Sequence, residues 1–263
     1  MIISNILAIA QKELQGYFAS PLAYIVATVF WFISGWFFVE ILIGEQGIIQ
    51  QVSVSEQMGI DLGSIDVATE VLSSFLAILG TLSLLLIPIL SMGLYAEEKK
   101  QGTLELLATS PITNWVVASG KLIAVTMLFI FMLLPSLIYE AIAFSTAEPA
   151  LPSAVFLLAH LGLVFLAAAL LSWGMFISSL ANSSILAATL TFGWILLLWI
   201  IDLIANNFKN QLGILQHISI LESYNSFVVG VVDISDLVLF GSYIFLGIFL
   251  TAQSIQLYRL NCQ

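Results

Sequence analysis

Six apolar stretches, each about as long as a membrane-crossing helix, take up most of the chain: 22–43, 71–94, 122–144, 154–180, 185–205 and 237–257. A helix needs about 20 apolar residues to cross a hydrocarbon core of about 30 Å. None of the runs shows the period-two alternation of a barrel strand. Hydrophobic residues make up 60% of the 263 residues and charged residues 8%, against a charged fraction of about 25% in soluble domains. The expected fold is all-α and polytopic, a single transmembrane domain over residues 1–263.

Residues 1–18 have no basic start, no compact apolar core and no small-residue cleavage pattern, so they do not read as a signal peptide. Ile3, Ile6, Leu7, Ala10, Leu14 and Phe18 recur at helical spacing, while Ser4, Gln11 and Gln15 share the other side. This predicts an amphipathic helix in the inner interface. Basic residues near span ends stay on the cytoplasmic side. With the N-terminus inside, Lys12, Lys99, Lys100, Lys121 and Arg259 are all cytoplasmic and only Lys209 is external. Glu45, Glu56, Asp61, Asp66, Glu70, Glu148, Glu222, Asp233 and Asp236 then fall in outer loops. The net charge of -10 therefore belongs mainly to the outer face and argues against nucleic acid as a ligand. The lone cysteine, Cys262, allows no disulfide within the chain.

Between the second and third spans lies the one long stretch in the middle of the chain where charge is dense, Tyr95 to Lys121. Glu97, Glu98, Lys99 and Lys100 end the apolar run, and Gly102 supplies a backbone break. Thr103 can cap a short helix with Glu105 in its first turn and Leu104, Leu107 and Ala108 on one side. Ser110-Pro111 ends it, and Thr113 can cap the next helix from near Trp115. An interfacial helix lying on lipid headgroups fits the same pattern.

The run Ala96-Glu97-Glu98-Lys99-Lys100-Gln101-Gly102-Thr103-Leu104-Glu105-Leu106-Leu107, with Thr109-Ser110-Pro111-Ile112 and Gly120-Lys121 after it, resembles the intracellular coupling segment of ABC-2 type transporter permeases. The branch it resembles is that of the gliding-motility-associated permeases. Gly230, Val231, Asp233 and Asp236 also resemble that branch's approach to its sixth helix. Many members carry a basic residue where this chain has Gly93, and others near Val229 and Ser235, so contacts of those charges do not carry over.

The resemblance implies a six-helix permease with an N-terminal elbow helix (1–18) and a cytoplasmic coupling segment (96–115). That segment docks on a separate ATPase subunit, which binds the ATP and Mg; this chain itself holds no cofactor. The coupling residues implied are Glu97, Glu98, Gly102, Thr103, Leu104, Glu105, Leu107 and Pro111. Further partners implied are a second permease subunit, identical or related, and a membrane-anchored extracytoplasmic accessory protein. The expected location is the bacterial inner membrane, with both termini cytoplasmic.

The outer loops are less uniform. Residues 44–70 are acidic and long enough to hold a short helix, and 206–236 has only short apolar pieces, expected as short helices dipping into or lying on the outer leaflet. Glu40, Glu140, His160 and Asp202 lie near the outer ends of their spans and form a candidate polar vestibule; hydrated residues at headgroup level would read the same way. Gly120-Lys121 is no phosphate loop, because Trp115 stands where its first glycine belongs and Leu122 replaces the magnesium-binding hydroxyl. Two histidines and one cysteine offer no zinc-ligand spacing. Two other classes remain at this point. A membrane-embedded enzyme would use the outer acid and histidine layer, and a secondary transporter or channel would need broken helices or polar groups near the midplane.

Overall fold

The computed structural model describes residues 2–45, 47–58, 66–104, 112–145, 147, 151–207 and 219–261. Among them there is no strand. In chain order the helices are α1 (Ile2–Ala19), α2 (Pro21–Ile43), α3 (Ile48–Gln57), α4 (Val67–Ser91), α5 (Gly93–Lys100), α6 (Asn114–Phe144), α7 (Ser153–Leu180), α8 (Ser184–Asn207), α9 (Ile220–Val229) and α10 (Ile234–Asn261). Six segments, built on α2, α4 with α5, α6, α7, α8 and α10, are long and apolar enough to cross a membrane.

The bundle is built around α7. Of its most apolar stretch 56% is buried, against 22% for the α2 segment and 17% each for α8 and α10. Small residues let neighbours approach α7 on several sides. Gly162 lies against Phe227 of α9, Gly174 against Ser91 of α4, and Ser172 against Gly247 of α10, with no room for a Cβ at any of the three glycines. Ser172 also donates to Tyr243 O across that last crossing, at 3.2 Å. The peripheral helices turn large apolar side chains outward, as with Val29, Phe32, Trp36 and Val39 on α2. With no water in a bilayer core, such faces meet lipid or another membrane helix without cost.

The amphipathic helix α1 has two apolar faces of different kinds. Of the expected apolar stripe, Ile3, Leu7 and Phe18 are exposed, but Ala10 is buried and Leu14 packs on the core together with Ile9 and Tyr17. The contact with α6 is close because residue 120 is glycine: a Cβ there would sit 2.8 Å from Ile9 Cγ2.

Helix α6 starts at Asn114, next to the expected cap Thr113, and α5 carries the second span to Lys100, just before the expected break at Gly102, so charged residues ride on extensions of the membrane helices. In the outer loops one element departs from expectation. The last outer loop contributes α9, which is packed into the bundle and does not lie on the leaflet. Its Ile220, Tyr224, Phe227 and Val228 are buried, and Tyr224 Oη donates to Leu76 O of α4 at 2.7 Å. Gly80 makes room for that ring, since a Cβ there would lie 2.8 Å from Tyr224 Cε1. Ser219 caps α9 by accepting from Glu222 N, and Gly230 ends it in the left-handed region at φ +80°.

Candidate functional site

The helical run of the second span is interrupted where it leaves the apolar layer. Pro88 lacks the N–H that would continue the helical ladder, and α4 passes into α5 through Met92. Ser178 of α7 holds the break together. Its buried hydroxyl accepts from Tyr95 N and Ala96 N, each at 3.2 Å, and donates to Met92 O at 2.9 Å. Groups that would otherwise be buried without partners are thus satisfied by a neighbouring helix.

One turn further on, Lys121 of α6 is 1% exposed and fully partnered. Its Nζ lies 2.9 Å from Glu98 Oε1 of α5 and 3.2 Å from Glu13 Oε1 of α1. It also donates to Leu94 O at 2.9 Å, and it sits 5.0 Å from the centre of the Tyr95 ring. A buried ammonium is tolerated only when its donors are paired, and three acceptors match its three protons. The result is an ionic joint tying the elbow helix, the end of the second span and the start of the third. Burial, helped by Glu13, Glu98 and Glu97, holds the adjacent Tyr17 phenol well above its usual pKa.

Beyond the joint, α5 ends at Gln101, and Gly102 takes φ +71°, a conformation that suits glycine. Thr103 Oγ1 donates back to Glu98 O at 3.2 Å. Two residues expected on a docking surface are used within this chain. Leu104 is 3% exposed and belongs to the core, and Glu98 is turned toward Lys121. Glu97 is exposed, and Ser184 Oγ donates to it at 3.5 Å. Glu105, Leu107 and Pro111 lie outside the described residues, as does most of the expected short helix. Leu104→Ala is therefore expected to destabilise the permease itself by about 2 to 5 kcal/mol, the range for truncating a buried leucine. Unfolding of the isolated chain in mixed micelles checks this; an unchanged midpoint with weaker partner binding would return Leu104 to the docking surface.

Of the outer layer, the structure brings together Glu140 and His160. Glu140 is fully buried and His160 is 7% exposed, so they form an enclosed pair and not an open vestibule. His160 Nδ1 lies 2.9 Å from Phe156 O, which can only accept, so this nitrogen carries a proton. Nε2 then faces Glu140 Oε1 at 3.3 Å. That contact needs one further proton, on the ring or on the carboxyl, and in either arrangement the pair carries no net charge. Asp202 is placed with Ser219 at the start of α9, and Glu40 is exposed at the end of α2. His160→Leu leaves Glu140 buried without this partner and is expected to lower stability by about 3 kcal/mol and to impair transport. His217→Leu, in the outer loop beyond the described residues, is the control expected to be neutral in both assays.

The family model described as "ABC-2 family transporter protein" matches residues 7–255. The chain belongs to the ABC-2 transporter family. It is the permease component of an ABC transporter, and permeases of this family work with an ABC ATPase subunit. No curated protein matches the sequence. Of the permease's most constrained polar residues, Glu13 and Ser178 were not singled out in the sequence, and Lys121 and Tyr95 were named only as part of the charged stretch, with no ion-pairing role. A signal for Lys121 was present: a lone lysine entering an apolar run, beside a span end, needs a carboxylate partner from elsewhere in the chain.

Proposed function

We propose that this permease couples ATP hydrolysis by a separate ATPase subunit to export across a bacterial inner membrane, with both termini and segment 96–115 cytoplasmic. The observation that supports this reading is the ionic joint of Lys121, Glu98 and Glu13, placed where that segment leaves the second span. Motion imposed on 96–115 from outside would pass through α5 to α1, α6 and α7 together. Basic residues also gather at this end: Lys99 lies 5.7 Å from the Tyr258 ring centre and Arg259 donates to Ile112 O at 3.3 Å. Such clustering suits a cytoplasmic face.

In this reading residues 1–263 form one transmembrane domain that pairs with a second permease, identical or related. ATP and Mg bind only the partner ATPase. The gliding-motility branch and its membrane-anchored extracytoplasmic accessory protein are part of the proposal, on the strength of the segment's sequence. Glu97 and Glu105 face basic residues of the ATPase, while Leu107 seats in its groove and Gly102, Thr103 and Pro111 shape the segment. Differential contacts of about 1 to 3 kcal/mol suffice for coupling of this kind.

The test is Glu105→Lys in reconstituted vesicles. Normal insertion with lost transport and lost substrate-stimulated hydrolysis is the expected result. Neutral or improved behaviour on an anionic leaflet is what a mere interfacial helix would give, and it would overturn the docking role.

A further inference from the structure

Helix α10 has 28 residues, a length of about 42 Å at 1.5 Å per residue, against a hydrocarbon core of about 30 Å. Its ends therefore reach past the apolar layer, and the C-terminal one does so beside segment 96–115. Phe245, Phe249, Ala252 and Arg259 recur at helical spacing and share one face of α10. That face meets the start of α6. The Trp115 ring centre lies 5.9 Å from that of Phe245 and 5.7 Å from that of Phe249, and Asn114 Nδ2 donates to Ala252 O at 3.4 Å.

Further along α10, two consecutive residues reach the two flanks of the segment. The Lys99 ammonium lies 5.7 Å from the centre of the Tyr258 ring, within the reach of about 6 Å that a cation–π contact allows. Arg259 Nη2 donates to Ile112 O at 3.3 Å. Lys99 stands in the last turn of α5, where the chain leaves the second span, and Ile112 stands just before α6, where it returns. All four residues are half-buried, so these contacts form at the edge of the fold and not in its core. Pinning both ends of a connecting segment removes conformations from everything between them.

We propose that Tyr258 and Arg259 are positioning residues, a clamp at the end of the last helix that holds both flanks of segment 96–115 in one pose for the ATPase. The clamp needs only the permease, whereas its consequence rests on the ATPase reading above. A docking element that holds its competent pose for only part of the time binds its partner more weakly by that fraction. Losing a charge-assisted hydrogen bond shifts such an equilibrium about tenfold, and losing a partly exposed cation–π contact shifts it about two- to fivefold. The Lys121 joint ties the same segment to α1 and α6; the clamp adds α10 to the helices that its motion reaches.

Spin labels at Gln101→Cys and Thr113→Cys, both exposed positions, placed in a Cys262→Ser permease in micelles, report how tightly the two flanks are held. A narrow distance distribution is expected, broadened by Arg259→Met and by Tyr258→Leu and kept by Tyr258→Phe, which retains the ring face. Titration with the ATPase should show about tenfold weaker binding for Arg259→Met and two- to fivefold weaker binding for Tyr258→Leu, with Arg259→Lys restoring part of the loss. Thermal unfolding of the bundle should be unchanged in each. Unbroadened distributions in both loss variants overturn the clamp, as does an unfolding midpoint lowered in both, which would make these residues merely structural. Equal effects of Tyr258→Phe and Tyr258→Leu overturn the role of the ring face. Broadened distributions with wild-type ATPase affinity overturn the positioning role. Glu105→Lys then tells whether docking itself has failed, because it loses the ATPase only if this segment is the docking face.

Discussion

Replacing Lys121 by Met is expected to produce the largest loss of stability of any single change outside the apolar core. It removes the cation that Glu13 and Glu98 share, leaving Glu13 only its solvent-exposed contact with Lys12 at 3.6 Å, with both carboxylates at the mouth of a low-dielectric site. Breaking a buried ion pair from one side costs about 3 to 5 kcal/mol. The glutamates keep 15% and 19% of their side-chain surface exposed, so partial hydration puts the expected cost near the lower limit. Adding Glu98→Gln to Lys121→Met should restore part of the loss, because one uncompensated charge is then gone. Denaturant titration of the four members of this cycle gives the coupling energy. Independent, additive losses would mean that the joint is a surface contact of little weight. In vesicles with the ATPase, Glu13→Gln should leave hydrolysis intact yet loosen its link to transport, since α1 would no longer be held to the joint.

Ser178→Ala is the second large effect, expected at about 2 to 3 kcal/mol, from a change of one oxygen atom. It strips partners from Met92 O, Tyr95 N and Ala96 N at once, and a buried unsatisfied polar group costs about 1 to 3 kcal/mol. The estimate stays below the sum because the backbone at the break can relax toward a regular helical ladder. That relaxation would shift α5 relative to Lys121, so coupling should suffer more than stability. Hydrogen exchange at Tyr95 and Ala96 reads it out: faster exchange at both amides, with little change in α4, is expected. Unchanged protection would show that the break needs no support from α7.

The membrane helices were legible because length and hydropathy fix them almost without regard to context. Part of the expected stripe of α1 was legible for the same reason, in Ile3, Leu7 and Phe18. Ala10 and Leu14, read on that stripe, face the protein instead, and Glu13 and Tyr17 gain meaning only once Gly120 brings α6 close. The joint was illegible because Glu13, Glu98 and Lys121 are far apart in sequence and none belongs to a motif for ion pairing. Leu104 looked like a docking residue because it shares a helical face with Leu107 and Ala108 in the segment that resembles the family's coupling segment. Amphipathic spacing alone does not say whether an apolar face meets this chain or another. The break at Met92 is bridged by Ser178, a tertiary contact that local sequence does not encode. In the outer layer, matching depth suggested four residues together, but rotation about each helix axis decides contact, and it unites only Glu140 with His160.

Segment 96–115 is the proposed face on which an ATPase drives this permease. A photo-activated crosslinker placed at Gln101, exposed at the end of α5, tests it in native membranes. One dominant adduct to a protein with Walker motifs is expected, changing in yield when ATP is trapped in its transition state. An adduct to lipid alone, or labelling of Gln101→Cys from outside intact cells by an impermeant thiol reagent, would contradict it.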